Sequence, residues 1–289
     1  MATPTAFERV SSTPLWWDDS SQPEPRIALH GDLKVDVAVV GAGFTGLWAA
    51  LLALEEDPAR EVVVLEGKRV GWAATGRNGG FCSSSLTHGV GNGLARWPAE
   101  MPLLQRMGAA NLDAIEATIR ERGIDCDFER TGELDVALEP WQLEDLASLH
   151  TTMRELGEEV ELLSAEQTRA LVDSPTYLGG LLDRRGVAML NPARLAWGLA
   201  DAVEGAGGRI HEATRVQRLE SAGDRVALIM ANGTVRAHQM DLSTNGLPST
   251  LSRARPSGYP VWDHILPTEP LSQSQRASLG WHGRHSCGD

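Results

Sequence analysis

The sequence is poor in cysteine and in basic residues, and each shortage excludes a class of protein. Its three cysteines, Cys82, Cys126 and Cys287, lack the spacing of a metal site and are too few for a disulfide framework. Lys and Arg together number 26 against 39 Asp and Glu, which gives a net charge of −13. Binding to nucleic acid or to an anionic membrane relies on basic surface, so we expect neither partner. An acidic surface would instead mildly attract a cationic small molecule.

Targeting and membrane-spanning patterns are also missing. No segment approaches the ~18 consecutive apolar residues of a transmembrane helix. The first residues, with Glu8, several prolines and Trp16-Trp17, lack the apolar core of a signal peptide. We therefore expect a cytoplasmic protein with no membrane span and no bound metal. At 289 residues, the chain is long enough for about two domains.

What the sequence does contain, from Val35 to Glu66, is the pattern of a dinucleotide-binding unit. An apolar, β-branched run at 35–40 predicts a buried parallel strand, and Gly41, Gly43 and Gly46 follow it directly. In such a unit Gly41 allows the tight turn, Gly43 lets a pyrophosphate approach the backbone, and Gly46 lets a helix pack closely on the strand. A glycine turn in an unrelated α/β unit is the alternative, but it does not explain the elements that follow.

Those elements are a helix and a second strand that ends in an acid. The helix begins at Phe44 and stops before Pro58. Its free amides, including those of Phe44 and Thr45, and the positive end of its dipole would hold phosphate, with roughly 0.3–1 kcal/mol from the dipole at an exposed site. The strand at 61–65 ends in Glu66, whose carboxylate can accept hydrogen bonds from both ribose hydroxyls and would repel a 2′-phosphate. The pattern predicts an adenine dinucleotide without that phosphate.

A second glycine-rich segment, at residues 70–81, bears on which dinucleotide is bound. It contains the run Ala74-Thr75-Gly76-Arg77-Asn78-Gly79-Gly80. With this segment the chain resembles the FAD-dependent amine and D-amino-acid oxidases of the DAO family, especially the branch near gamma-glutamylputrescine oxidases. In that family such a segment wraps the pyrophosphate and the flavin edge, with Ala-Ser where Ala74-Thr75 stands here. The resemblance implies FAD contacts by Gly67, Thr75, Gly76, Arg77, Asn78 and Gly79. A solvated, mobile loop is the alternative.

The resemblance continues through residues 186–250. Asn191 and Pro192 predict the start of a helix. Two strand-like segments follow at 209–211 and 214–219, and Asn232-Gly233 predicts a hairpin between 226–230 and 235–237.

Three residues of this region match positions that meet FAD in the family. The resemblance implies that the backbone of Val216 lies at the adenine, although an ordinary core valine fits the sequence equally well. It also implies that Thr244 and Asn245, at the end of a strand that returns to the FAD, lie near the pyrophosphate.

Residues 101–185 differ in composition and predict an inserted domain. Helical spacing of apolar residues predicts helices at 100–122 and about 141–156, and a capping box at Ser164 opens a third. Segments 128–130 and 134–138 read as a hairpin around Thr131-Gly132.

The expected fold class is α/β, with a Rossmann-like FAD-binding domain interleaved with an α+β substrate domain. The predicted domains are an N-terminal arm at 1–33, an FAD-binding domain at 34–100 and 186–250, and a substrate domain at 101–185 and 251–289. Trp16 and Trp17 are expected to anchor the arm, with partner binding or a role at the substrate mouth as the alternative. Residues 260–271 resemble a strand of the family's substrate sheet. Because relatives continue with further strands, a glycine loop under the flavin and a last helix, we expect a C-terminally incomplete DAO-like fold.

The sequence says least about catalysis, and its catalytic residues stay unknown. In flavin amine oxidation the cofactor takes a hydride from the carbon next to nitrogen. His88, close in sequence to the glycine-rich segment, is a candidate base or polar anchor, with a structural or surface histidine as the alternative. The first hypothesis is FAD-dependent oxidation of an amine or amino acid to an imine. The second is a truncated, non-catalytic FAD- or ADP-binding remnant, and the third is an NAD-dependent dehydrogenase.

Overall fold

The computed structural model describes residues 13–246, 265–281 and 284–288. These residues form two compact units that interleave in sequence. The first unit contains 13–79, 124–126, 191–246 and 265–266, and the second contains 80–123, 127–190, 267–281 and 284–288. The predicted domain limits stay a prediction. Within the described ranges, no helix combines the length and the hydropathy that crossing a membrane requires.

The secondary structure of the described residues alternates helices and strands. In chain order the helices are α1 (Phe44–Glu56), α2 (Val90–Arg96), α3 (Met101–Glu121), α4 (Pro140–Glu155), α5 (Ala165–Leu171), α6 (Pro192–Gly205) and α7 (Gln273–Ser278). The strands are β1 (Leu33–Val40), β2 (Val62–Leu65), β3 (Phe81–Ser83), β4 (Glu133–Ala137), β5 (Val160–Ser164), β6 (Gly179–Asp183), β7 (Val187–Met189), β8 (Arg209–His211), β9 (Arg218–Ala222), β10 (Arg225–Met230), β11 (Gly233–Leu242) and β12 (Ser286–Gly288). Short 3₁₀ turns lie at Leu15–Trp17 and Ala74–Gly76.

The first unit is built on a six-stranded sheet in the order β8-β2-β1-β11-β10-β9. The strands from β8 to β11 run parallel, and β11, β10 and β9 form an antiparallel meander. Helix α1 connects β1 to β2 and buries Leu47, Leu51 and Leu54. This is the predicted strand–helix–strand unit, and its central strands are apolar on both faces because both are covered.

Local signals in the first unit are confirmed, with two differences in strand limits. Asn191 caps α6 as predicted, since its side chain accepts hydrogen bonds from the amides of Ala193 and Arg194. The hairpin at Asn232-Gly233 forms, but residues 233–242 are one long strand that continues to pair with β1.

The strand predicted at 214–219 begins later, at Arg218. Thr214 instead donates its amide to the carbonyl of Glu66 at 2.7 Å and its hydroxyl to the carbonyl of Glu212 at 2.8 Å. The bond from its amide ties Thr214 to the loop after β2, and the chain first joins β10 at Gln217, whose amide donates to the carbonyl of Ile229 at 2.8 Å.

The second unit contains a four-stranded sheet, β12-β4-β6-β5, and the two-stranded pair β3-β7. Alternate residues of β4 and β6 point to opposite faces of the larger sheet. One face packs against α4 through Leu146, and the other packs against Leu171 of α5. The predicted capping box is confirmed, because Ser164 Oγ accepts the amide of Gln167 at 3.2 Å.

The hairpin predicted around Thr131-Gly132 is wrong. Strand β4 pairs antiparallel with β6, in the register Leu134↔Leu182, and it pairs parallel with β12. Glu129, from the predicted first strand, forms a bridge with Met189 instead. The glycine gives a local turn signal, but the strand partners are distant in sequence, and long-range pairing overrides the local pattern.

The strand predicted at 260–271 is not found in its described part. Residues 265–271 are irregular, and residues 260–264 lie outside the described residues. The strand that joins the sheet near the end of the chain is β12, beside β4.

Candidate nucleotide-binding site

The carboxyl ends of three neighbouring parallel strands meet near the amino end of α1. Gly41 follows β1, Glu66 follows β2, and Ser243 follows β11. In open α/β sheets, ligands bind just beyond the carboxyl ends of the strands. The topology of the first unit therefore brings these loops together at the edge where a ligand is expected.

Two glycines let the chain turn and let α1 lie close to the sheet. Gly41 has φ +108°, and a Cβ there would lie 2.5 Å from the carbonyl oxygen of Ser243. A Cβ on Gly46 would lie 2.0 Å from the carbonyl oxygen of Gly41 and 2.9 Å from Cγ1 of Val39. Because the close neighbours include backbone atoms that no rotamer change can move, a side chain at either position would displace the helix or the strand.

The amino end of α1 has unpaired hydrogen-bond donors. The amides of Gly43, Thr45 and Gly46 have no partner among the described residues. The amide of Phe44 donates to Oγ1 of Thr75 at 3.2 Å, and a Cβ on Gly43 would lie 3.0 Å from the same oxygen. Unpaired amides at a helix start are an anion-binding arrangement, so the donor set fits a diphosphate.

Glu66 lies beside this helix end and is held by backbone amides. Its Oε2 accepts the amide of Ala42 at 2.8 Å, and its Oε1 accepts that of Lys68 at 2.7 Å. Burial raises the pKa of the Glu66 carboxyl, and these two bonds oppose that rise. Each carboxylate oxygen has a second lone pair, so the group can still accept bonds from a ligand hydroxyl.

The predicted loop residues divide into two kinds. Thr75 contacts the helix end, whereas Asn78 serves the loop itself by donating Nδ2 to the carbonyl of Thr75 at 2.6 Å. Arg77 donates Nε to the carbonyl of Trp72 at 2.8 Å, and its Cζ lies 4.7 Å from the centre of the Trp72 ring. Gly76 is buried, and Gly79 is half-buried at the end of the loop.

The predicted adenosine-side residues lie along the same sheet edge. Gly67 is exposed, and the side chain of Arg215 lies 3.6 Å from where its Cβ would be. Val216 is buried in the core of the sheet, so the core-valine interpretation holds for its side chain. Its backbone N–H and C=O, however, have no hydrogen-bond partner among the described residues.

Thr244 and Asn245 follow β11 as it leaves the sheet. The amide nitrogen of Thr244 lies 3.7 Å from where a Cβ on Gly41 would be. Asn245 has a positive φ of 50°, which turns the chain away after this contact. His88, in the second unit, is exposed with φ 57° and has no partner among the described residues.

Sequence reasoning missed the residue that fixes the loop after β2. Glu212 is 2% exposed, and it accepts the amides of Arg26 at 2.8 Å and Val70 at 2.7 Å. Arg69 Nε lies 2.9 Å from the same carboxylate, at an angle unsuited to a hydrogen bond. The only available signal was a charged residue directly after a strand-like segment. Across the described ranges, no cluster of His, Cys, Asp or Glu could hold a metal ion.

Fold and site together define a class: an α/β protein with a dinucleotide-binding β1-α1-β2 unit. Comparison with known proteins assigns the chain to a particular family within this class. Residues 36–288 match the model of the DAO family, described as FAD dependent oxidoreductase. The gamma-glutamylputrescine oxidoreductase of Escherichia coli K12 is 34% identical over 266 residues, covering 88% of this chain and 60% of that protein. The probable oxidoreductase OrdL of Haemophilus influenzae is 30% identical, covering 87% and 59%.

Solved structures agree on the fold. Glycine oxidase from Geobacillus kaustophilus superposes with a TM-score of 0.66 at 24% identity, covering 79% of this chain and 59% of that one. L-proline dehydrogenase from P. horikoshii has a TM-score of 0.60 at 16% identity, covering 74% and 54%. The chain belongs to the DAO family of FAD-dependent oxidoreductases. It spans about 60% of the length of the curated relatives named here.

Proposed function

We propose that the first unit binds FAD at the amino end of α1 and that the protein oxidises the C–N bond of an amine or amino acid to an imine. The observation that carries this proposal is that the amides of Gly43, Thr45 and Gly46 meet no acceptor in the described ranges. In a diphosphate complex these donors would take up the anionic oxygens without any rearrangement of the helix.

In this proposal the remaining site residues each contact a different part of FAD. Glu66 would accept the ribose hydroxyls through its free lone pairs. The unpaired N–H and C=O of Val216 suit the edge of an adenine ring, which offers both an acceptor and a donor. Thr75 would remain at the diphosphate, and the Thr244 backbone would line its other side.

Part of the Arg77 side chain can still bind the cofactor. Its Nε is used by the carbonyl of Trp72, but its two terminal amino groups have no partner among the described residues. These groups could donate to an anionic part of FAD, which agrees with the predicted contact. Gly67, Gly76, Asn78 and Gly79 would shape the loops on either side.

Bound FAD supplies a two-electron acceptor for the hydrogen on the carbon next to nitrogen. The amine class is supported by the names of relatives, gamma-glutamylputrescine oxidoreductase and glycine oxidase. The net charge of −13 favours the approach of a cationic amine. His88 stays a candidate base within this proposal, and the cytoplasmic location stays part of it.

Titration of the purified chain with FAD tests the binding step. Quenching of flavin fluorescence should report binding, ADP should compete with it, and NADH should bind less tightly than FAD. Gly43→Leu should abolish binding, because its side chain would fill the space beside Thr75. Gly205→Ala, in open space, is the matched control. Equal affinity in both variants would contradict the proposal.

Anaerobic spectra test the chemistry. The flavin band should bleach when the right polyamine or amino acid is added to FAD-loaded protein. Tight FAD binding without bleaching by any member of a broad panel would favour a nucleotide-binding role without turnover.

A further inference from the structure

The segment at residues 13–30, here called the arm, is held along α6 in the first unit. Asp19 Oδ2 lies 2.7 Å from Nε of Arg194, and the Asp19 side chain is only 10% exposed. Farther along, Arg26 lies 2.7 Å from Asp201 and 2.8 Å from Glu204. The arm is therefore held on its own unit by ion pairs in which the arm residue, Asp19 or Arg26, is the buried partner, as well as by tryptophan.

Both tryptophans of the arm contact the segment at residues 74–79, here called the cofactor loop. Trp16 donates its indole N–H to the carbonyl of Asn78 at 2.7 Å. Trp17 packs edge-on against Trp197, with ring centres 5.8 Å apart. A Cβ on Gly76 would lie 2.4 Å from Nε1 of Trp17, so the glycine leaves the space that the indole occupies.

From the cofactor loop the contacts run directly to the helix end. Asn78 donates its side-chain amide to the carbonyl of Thr75 at 2.6 Å. Thr75 in turn accepts the amide of Phe44 at 3.2 Å. Trp16, Asn78, Thr75 and Phe44 thus form a continuous chain of contacts from the arm to the unpaired amides of α1.

We propose that the arm is a strap that positions the cofactor loop, with Trp16 and Trp17 as positioning residues for FAD. This inference rests on the proposed FAD binding and adds a regulating element outside the glycine motif. Detachment of the arm would remove the hydrogen bond from Trp16 to the carbonyl of Asn78 and open the space over Gly76, so Thr75 would lose its fixed place at the helix end. Coupling of this kind is reciprocal, so bound FAD must also hold the arm more tightly.

The first test removes one hydrogen-bond donor and keeps a smaller aromatic ring in its place. Trp16→Phe in the full chain should raise the dissociation constant for FAD about fivefold, as loss of one hydrogen bond predicts. Trp141→Phe is the matched control, since Trp141 is 63% exposed on α4, and it should change nothing. Far-UV circular dichroism and the melting temperature without FAD establish that both variants fold.

The second test measures the effect of bound FAD on the arm, and it needs no catalytic activity. Hydrogen exchange of residues 13–20 should slow when FAD is added to the wild-type chain, and it should slow much less in Trp16→Phe. A wild-type chain that binds FAD with no slowing in the arm, and with unchanged affinity in Trp16→Phe, would overturn the strap and leave the proposed function standing. A wild-type chain that binds no FAD would overturn both.

Discussion

The first unit offers its candidate site through backbone groups, whereas the second unit concentrates ionisable side chains on its sheet. At the start of α1 the amides of Gly43, Thr45 and Gly46 have no partner in the part of the chain that the structure describes. In the second unit, Glu133 and Asp183 are opposite each other on β4 and β6. A backbone site depends on how closely two elements pack, and a side-chain site depends on which strands come into register.

Two carboxylates on β4 of the second unit are destabilised in their charged form. Burial raises the pKa of Glu133 and of Asp135, and the charge of Asp183 raises both further. Glu66 of the first unit shows the same effect of burial, but backbone amides oppose it there. The contrast predicts opposite responses to substitution: a side chain added where α1 meets the loop after β1 should reduce stability, and removal of the Asp135 charge should increase it.

The largest effect is expected at Gly46. Gly46→Val would place atoms within the backbone of Gly41, and we expect the free energy of unfolding to fall by about 3 kcal/mol or more. Urea unfolding followed by circular dichroism measures this change. Gly205→Ala, which meets nothing within 4 Å, should keep or slightly raise stability. Similar losses in both variants would mean that close packing at the helix start is not what the first unit depends on.

Loss of one side chain in the first unit can reduce stability as much as a clash at Gly46, and we expect this at Glu212. Glu212→Ala leaves the amides of Arg26 and Val70 without an acceptor and Arg69 without its counter-charge. We expect a loss of about 3 kcal/mol in the free energy of unfolding.

The control for Glu212 is an exposed carboxylate of the same unit. Glu220 pairs with Arg218 at 2.7 Å, with side chains 49% and 67% exposed. Glu220→Ala should cost less than about 1 kcal/mol. If the two substitutions cost the same in urea unfolding, burial of Glu212 would not be the cause.

The features that the sequence could predict are those set by residues close together in the chain. The β1-α1-β2 unit, the cap at Asn191 and the turn at Asn232-Gly233 depend on residues within a few positions of one another. Such signals lie in a short window of sequence, so the fold of the first unit and the place of its glycines were predictable.

The features that escaped prediction all join distant residues. Strand β4 pairs with β6 and not with the neighbouring segment, because the register is set by the sheet and not by Gly132. The carbonyl of Ser243 faces Gly41, and Glu212 joins the arm to the loop after β2. No local pattern specifies such partners, so a single sequence could not supply them.

A smaller effect is expected from the ion pair that holds the arm. The hydrogen bond from Arg194 lowers the pKa of Asp19 from its ordinary value of 3.8 to about 2. The folded state therefore binds this proton more weakly than the unfolded state, and the stabilisation, at most about 2 kcal/mol, is complete above pH ~4 and lost towards pH ~2. The difference in unfolding free energy between wild type and Asp19→Asn should shrink over that range. Asp224→Asn, with its side chain 81% exposed, should show no such trend.

The smallest effect has the opposite sign and lies in the second unit. Asp135→Asn removes a charge that burial and Asp183 both disfavour, so stability at pH 7 should rise on the order of 1 kcal/mol. Because the folded wild type binds the proton more readily than the unfolded chain, wild type gains stability as pH falls, and the advantage of the variant should shrink in urea unfolding at pH 5. Glu161→Gln should lose a little stability instead, since Arg184 lowers the pKa of that carboxyl. A loss of stability in Asp135→Asn at pH 7 would mean that this carboxylate is held by contacts as favourable as those of Glu66, and the contrast between the two units would fail.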